Sequence, residues 1–337
     1  MKAIVITRPG PPDSLALREL PDPVPGPGEL LVRVRATAVN RADLLQRRGL
    51  YPAPPGSPAE IPGLEFAGEV LGGDPAETGL APGDRVMGIL GGGGYAERVA
   101  VPAGQCLPVP PALSFADAAA IPEAFLTAFD ALVLQAGLAP GEVVLVSAAA
   151  SGVGTAAAQV AREVGAVAIG TLRTGAKRPR VERLDLGFKA LLDAAAPDLA
   201  AQVAAASGGR GVDVVLDLVG AASWPLALDA LAPRGRIVAV GTMSGTLVEL
   251  DLGALMRRRA TLIGTVLRSR PAAEKVALTR AFAERMLPAL AAGRLRPVVD
   301  RVLPLAEAAA AHVLLERNDT LGKVVLSIDP AGTGASR

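Results

Sequence analysis

The 337-residue chain is poor in the residues that build metal and thiol chemistry: Cys106 is its only cysteine and His312 its only histidine. An intramolecular disulfide is impossible. A Cys/His zinc centre is excluded as well, because tetrahedral zinc takes three or four such ligands. A serine triad or a Cys–His nucleophile pair would have to use His312, which lies in an alanine-rich helical pattern and reads as a helix-surface or packing residue. The formal net charge is only +1. No basic stripe interleaved with aromatics is present, so nucleic acid is not an expected partner. No uncharged apolar run reaches the roughly 18 residues that span a bilayer. The first apolar run, within residues 1–6, is too short for a signal peptide. The expectation is a soluble cytoplasmic protein with no membrane partner.

Half of the residues are apolar, and the length suits two domains that each bury a core. Residues 1–122 read as β-rich. Strands are expected at 2–7, 30–39, 67–71, 85–89 and 96–101, and one helix at 40–48. Proline and glycine clusters at 21–28, 51–56 and 81–84 punctuate them. From about residue 123 strands and helices alternate. Strands are expected at 143–146, 167–172, 190–193, 212–218, 236–240 and 262–267. Helices are expected at 155–164, in a stretch ending at 187, and at 223–231. Continuous Val/Ile/Leu strands separated by helices predict a doubly wound parallel six-stranded sheet covered on both faces, an α/β fold. A helix over 271–295, a short strand, a further helix and a strand at 323–328 complete the chain.

The most informative stretch joins the apolar strand 143–146 to an alanine-rich helix through Ser147-Ala148-Ala149-Ala150-Ser151-Gly152-Val153-Gly154. Small side chains at a helix N-terminus let phosphate oxygens reach exposed backbone N–H groups. Two registers fit the dinucleotide fingerprint: Gly152-x-Gly154-x-x-Ala157, or Ala149-x-Ser151-x-x-Gly154. A tight turn in a non-binding α/β domain is the bland alternative. At the end of the second strand an NAD site places a carboxylate for the ribose 2′-hydroxyl. Residues 171–180 have no acid and carry Arg173, Lys177, Arg178 and Arg180. Cations there suit a 2′-phosphate and hence NADPH; a solvated basic face is the alternative.

Several motifs carry a resemblance over nearly the whole chain. They are Ala38-Val39-Asn40-Arg41-Ala42-Asp43-Leu44-Leu45-Gln46-Arg47, Tyr51 before its proline cluster, and Pro62-Gly63-Leu64-Glu65-Phe66-Ala67-Gly68. Ala120-Ile121-Pro122-Glu123-Ala124-Phe125-Leu126-Thr127-Ala128-Phe129, the glycine turn and Leu267-Arg268-Ser269-Arg270 complete them. The chain resembles the zinc-free medium-chain dehydrogenases/reductases, and among them the NADPH:quinone oxidoreductases of the tumour-suppressor-induced type. Zinc-dependent relatives carry a cysteine at the position of Asn40, a histidine at that of Leu64 and a third ligand near that of Glu123. They also carry a four-cysteine lobe that this chain lacks.

The resemblance implies a Rossmann NADPH-binding domain at 123–267 and a GroES-like catalytic domain formed by 1–122 and 268–337, with the cleft at their junction. It implies a homodimer paired through the strand at 260–267. It further implies hydride transfer to a quinone or conjugated carbonyl, which accepts hydride without a Lewis acid. Asn40 and Tyr51 would bond the substrate carbonyl as it gains charge. Asn40 could equally cap the helix it precedes, and Tyr51 could pack. Thr127 and the segment from Leu267 to Ser269 would hold the nicotinamide, and Ala150, Ser151, Gly152, Val153 and Gly154 the pyrophosphate. Arg173 and Lys177 would hold the 2′-phosphate. Val219, Gly241 and Met243 fall at carboxyl ends of strands, where open α/β sheets bind ligands. An alkenal or enoyl double-bond reductase is the alternative enzyme. A non-catalytic NADPH-binding protein, structural or RNA-associated, is the alternative of another class.

Overall fold

A computed structural model of the protein describes residues 1–328. The chain divides into two compact units, one made of residues 1–126, 267–293 and those from 297 on, the other of 127–266 with 294–296.

The second unit is an α/β domain. Its strands Val143–Val146, Val167–Leu172, Phe188–Asp193, Val212–Asp217, Leu231–Ala239 and Thr261–Gly264 form one sheet. Every neighbouring pair is parallel. Numbered in chain order, they lie 3-2-1-4-5-6 across the sheet, which is the Rossmann order, with its switch point between the first and fourth strands. The all-apolar strand Val143–Val146 is fully buried because it lies inside this sheet. Leu145, Ile169, Val203, Val215 and Ile237 meet in the core.

The first unit contains a seven-stranded mixed sheet and the antiparallel pair Lys2–Ile6 and Leu15–Glu19. Its organiser is the long strand Glu29–Val39, which alternates between partly covered and buried positions and then runs buried to its end. Three strands pair with it, all antiparallel: Glu65–Gly73, Arg98–Pro102 and Lys323–Ser327. The register Val324↔Val39 brings Lys323 beside the residue after Val39, which is Asn40. The Thr37 hydroxyl donates to the Glu65 backbone oxygen at 2.6 Å. Glu65 and Lys323 therefore flank the end of the organising strand from opposite sides.

The structure departs from the sequence pattern in specific places. The helix expected over 271–295 is two, Ala272–Arg285 and Leu287–Ala291. Pro288 has no N–H to give, and its ring crowds the preceding turn. The helix after the glycine turn starts at Gly152 instead of 155. The strand expected at 262–267 stops at Gly264. The stretch before residue 187 is only a short helix, Arg178–Glu182, behind one 3-10 turn. The strand Leu15–Glu19 was not foreseen: its leucines alternate, but it is stabilised by pairing with Lys2–Ile6 and not by a local signal.

His312 is fully buried on the helix Ala308–Arg317. Its Nδ1 lies 3.2 Å from an Arg47 guanidinium nitrogen, and its Nε2 3.2 Å from the Tyr95 hydroxyl. Arginine only donates, so Nδ1 accepts and the proton sits on Nε2, which donates to Tyr95. Tyr95 in turn donates to Asp43 at 3.1 Å. Burial, and then the Arg47 charge, push the His312 pKa down to about 3. Between that value and the ordinary 6.5 the unfolded chain binds a proton the folded one does not, so this residue lowers stability as pH falls through that window. His312→Leu strands an Arg47 donor and the Tyr95 oxygen as acceptor and is expected to cost about 2–5 kcal/mol at pH 7 in urea denaturation. The variant is also expected to flatten the loss of stability between pH 6.5 and 3.

Candidate active site

In the α/β unit the turn after the first strand is built for close approach. Ala148 takes a positive φ of 51°, and the Ala149 N–H is bonded to the Thr171 oxygen at 2.9 Å, tying the turn to the second strand. Ser151 caps the helix Gly152–Glu163, its hydroxyl accepting the Gly154 N–H at 3.0 Å. Gly154 has no room for a side chain, since a Cβ there would lie 2.4 Å from the Ala148 oxygen. Ala150 and Ser151 thus lead directly into the helix start at Gly152, Val153 and Gly154, where first-turn N–H groups have no intrahelical acceptor. Asp217 organises the neighbouring strand ends. Its carboxylate accepts the Val219 and Gly220 N–H groups and, at 2.6 Å, the Ser223 hydroxyl. The Ser244 N–H reaches the Val219 oxygen at 2.8 Å. This draws Val219 and the 241–245 loop, with Gly241 and an exposed Met243, to the carboxyl ends of the fourth and fifth strands. Arg173 is exposed and Lys177 partly covered beyond the second strand. In the same segment the Arg178 Nε is buried and has no hydrogen-bond partner among the described residues. Thr127, nearly buried, opens this unit on the helix Pro122–Phe129.

The other unit holds a buried polar cluster. The Lys323 ammonium donates to the Asn40 side-chain oxygen at 2.5 Å and to a Glu65 carboxylate oxygen at 2.6 Å. The Asn40 amide donates to that same Glu65 oxygen at 2.8 Å and to the Ala38 oxygen at 3.2 Å. The other Glu65 oxygen accepts the Glu123 N–H at 2.8 Å. Asn40 does precede the helix Arg41–Arg47, but Asp43 does the capping: its carboxylate accepts the Asn40 N–H at 2.7 Å. The other Asp43 oxygen accepts the Gly63 N–H. Gly63 has φ 107°, and a Cβ would meet Gly94 and Tyr95 at under 3 Å, so the loop after it depends on glycine. Burial pushes the Asp43 pKa up to about 6 against those hydrogen bonds.

Tyr51 stands in the proline-rich loop, partly covered. Arg268, nearly fully buried, spreads its guanidinium 4.9 Å from the centre of the Tyr51 ring. It donates to the Tyr51 oxygen of the main chain at 3.1 Å, to the Gly91 oxygen at 2.8 Å and to the Gln46 side chain at 2.5 Å. Arg268 is thus the clamp that orients Tyr51. Among the described residues no group bonds the Tyr51 hydroxyl, whose pKa burial raises and the Arg268 charge pulls back. Cys106 is inert, its thiol pushed up to about 12 by burial.

Several expected residues therefore meet, each within its own unit. Residues 150–154 gather with Val219 and Gly241 at the strand ends of the sheet. Asn40 lies in the polar cluster, with both amide hydrogens already bonded inside the protein. Leu267 is buried next to Arg268, whereas Ser269 is exposed. Glu65 and Lys323 were not foreseen in site roles; Arg268 was expected only as part of the nicotinamide segment 267–269, and Glu123 only as the neighbourhood of a metal ligand in zinc-dependent relatives. All but Lys323 lie inside the motifs quoted above, but no spacing rule marks a residue whose partners come from distant strands. Among the described residues, no three or more His, Cys, Asp or Glu side chains gather as a metal would require.

Residues 26–111 match the family described as alcohol dehydrogenase GroES-like domain, and residues 186–326 that described as zinc-binding dehydrogenase. The chain is 34% identical over 322 residues to a quinone oxidoreductase of Pseudomonas aeruginosa, covering 94% of this chain and 96% of that one. It is 33% identical over 336 residues to a 2-haloacrylate reductase of Burkholderia sp, covering 96% and 98%. The solved structure of mycobacterial Rv1454c complexed with NADPH superposes with a TM-score of 0.84 at 32% identity, covering 97% of this chain and 99% of that one.

Gly154→Val would push a side chain into the Ala148 oxygen. Nicotinamide-nucleotide affinity, read by fluorescence titration, is expected to fall at least about tenfold. Unchanged affinity would remove this turn from the nucleotide site.

Proposed function

The chain belongs to the medium-chain dehydrogenase/reductase family, and on that premise we propose a metal-independent, NADPH-dependent reductase of quinones and related conjugated carbonyls. A bound NADPH supplies the hydride. The observation that carries the reading is the Lys323 ammonium seated on Asn40 and Glu65. The two oxygens that a metal would seek there already hold a cation, and Leu64 has no ligating atom. The donor set does not fit zinc, and no step is assigned to it. A substrate that spreads the incoming charge over a conjugated oxygen needs no Lewis acid, only a hydrogen bond as the oxyanion forms.

Tyr51 supplies that hydrogen bond: among the described residues its hydroxyl has no partner, and the Arg268 guanidinium over its ring favours negative charge nearby. Asn40, whose amide hydrogens are committed, serves by holding Lys323 and Glu65 in place. Ala150 to Gly154 receive the pyrophosphate, and Val219, Gly241 and Met243 line the strand ends beside it. Thr127, Leu267 and Ser269 are assigned to the nicotinamide. Arg173 and Lys177 pair with the 2′-phosphate, and no carboxylate between 171 and 180 opposes it.

Two chains pair through Thr261–Gly264, the edge strand of the parallel sheet, beside which Leu262 and Val266 are exposed. Among the described residues no helix is long and apolar enough to cross a membrane. The likeness to a 2-haloacrylate reductase favours one second reading, reduction of an activated carbon–carbon double bond by the same residues.

NADPH oxidation with 1,2-naphthoquinone, run beside a 2-alkenal, tests the reading. Fast turnover of the quinone is expected; turnover of the alkenal alone would install the second reading, and turnover of neither would defeat both. Tyr51→Phe is expected to lower kcat on the order of a hundredfold. Arg173→Ala combined with Lys177→Ala is expected to raise KM for NADPH by about tenfold while leaving KM for NADH in place. Equal changes for both nucleotides would contradict the assignment of the 2′-phosphate.

A further inference from the structure

Residues 171–180 contain no acid, yet the folded sheet brings one beside them from the next strand. Asp193 ends the strand Phe188–Asp193, which runs parallel to Val167–Leu172. The register Asp193↔Leu172 sets it level with the residue before Arg173. The Ala194 N–H donates to the Leu172 oxygen at 2.7 Å and holds the two strands together to their ends. One Asp193 carboxylate oxygen accepts the Ala195 N–H at 2.9 Å, within its own turn. The other has no hydrogen-bond partner among the described residues and faces Gly175, where a Cβ would lie 3.8 Å from it. With no side chain on Gly175, that oxygen stays uncovered on this side.

Gly175 opens the single turn Gly175–Lys177 that leads from the second strand into the helix Arg178–Glu182. The cations of this segment flank it. Arg173 and Arg178 enter no ion pair among the described residues, and the buried Arg178 Nε has no hydrogen-bond partner there. An open carboxylate oxygen and guanidinium groups without an anion therefore stand at one turn, each available to a ligand. The end of the second strand is where a Rossmann sheet receives the adenosine ribose. A carboxylate at that place accepts a 2′-hydroxyl and repels a 2′-phosphate, whereas arginines attract the phosphate. This chain holds both kinds of group, and the acid comes from the third strand instead of the second.

We propose that Asp193 is a specificity-determining residue that limits the preference for NADPH: its open oxygen accepts the ribose 2′-hydroxyl of NADH and opposes the 2′-phosphate that Arg173, Lys177 and Arg178 attract. The inference rests on the nucleotide-binding reading above and refines it. The protein binds both nucleotides, and NADPH is favoured by less than the cations alone would give. Removing the carboxylate charge widens the preference, and removing the cations narrows it.

Calorimetric titration with 2′,5′-ADP and 5′-AMP, which differ only in the 2′-phosphate, reads the ribose site without any turnover. Asp193→Asn keeps an oxygen for the Ala195 N–H and removes the charge. This variant is expected to bind 2′,5′-ADP about tenfold more tightly and 5′-AMP about threefold less tightly than the wild type. The gain for 2′,5′-ADP is expected to shrink at high ionic strength, as an effect of charge must. Equal shifts for the two ligands, or none, overturn the proposal and leave the nucleotide site standing. Asp193→Ala is expected to move both affinities in the same directions, a second reading where the first variant fails to fold. The wild type alone also decides: NADPH and NADH are both expected to bind, with affinities within about a hundredfold of each other. Binding of NADPH without NADH overturns the proposal, and binding of neither overturns the nucleotide reading itself.

Discussion

The contact between the Lys323 ammonium and the Glu65 carboxylate is the constraint on which the polar site depends. Taking both charges out of water costs several kcal/mol each, and such a pair persists only when the remaining lone pairs and protons are also satisfied. Here they are: Asn40 bonds both partners, and the Glu123 N–H takes the remaining Glu65 oxygen. The cluster joins the end of the strand Glu29–Val39, the first residue of Glu65–Gly73, the first residue of Lys323–Ser327 and the start of the helix Pro122–Phe129. Losing one partner would leave a bare buried charge, a change on the order of 3–5 kcal/mol. The strand register that creates this meeting is thus enforced by chemistry as well as by apolar packing.

A second consequence is electrostatic. Burial makes Asp43 and Glu123 hold their protons more tightly, up to about 6 and about 8, and at Glu123 the nearby Glu65 adds to it. His312, on the far side of Tyr95 from Asp43, goes the other way and stays neutral, since burial and Arg47 both oppose its charge. One region therefore contains an ion pair, two acids that hold their protons more tightly than usual and a neutral imidazole, each set by its immediate surroundings.

The α/β unit was legible because its signals are local. A run such as Val143-Val144-Leu145-Val146 announces a buried parallel strand, and the glycine turn after it announces the helix. The strands Val143–Val146 and Val167–Leu172 fall where the apolar pattern places them. The polar cluster was only half legible. Asn40 and Tyr51 stand out as polar residues in apolar or proline-rich surroundings, but Lys323 follows a glycine at the start of an apolar strand 283 residues from Asn40. Nothing near it in sequence shows that the pairing Val324↔Val39 delivers its ammonium to Asn40. Long-range register is a property of the folded sheet. For the same reason Arg268 reads as one basic residue among many until its three hydrogen bonds and the Tyr51 ring are seen together.

The central claim is that the Lys323 ammonium stands where relatives with a metal would need one, so that carbonyl reduction proceeds without it. The most direct test is elemental analysis of the purified protein alongside NADPH-dependent turnover before and after exhaustive dialysis against a chelator. The account predicts no stoichiometric transition metal and undiminished turnover. A zinc ion bound in stoichiometric amount, whose removal abolishes turnover and whose return restores it, would contradict the account.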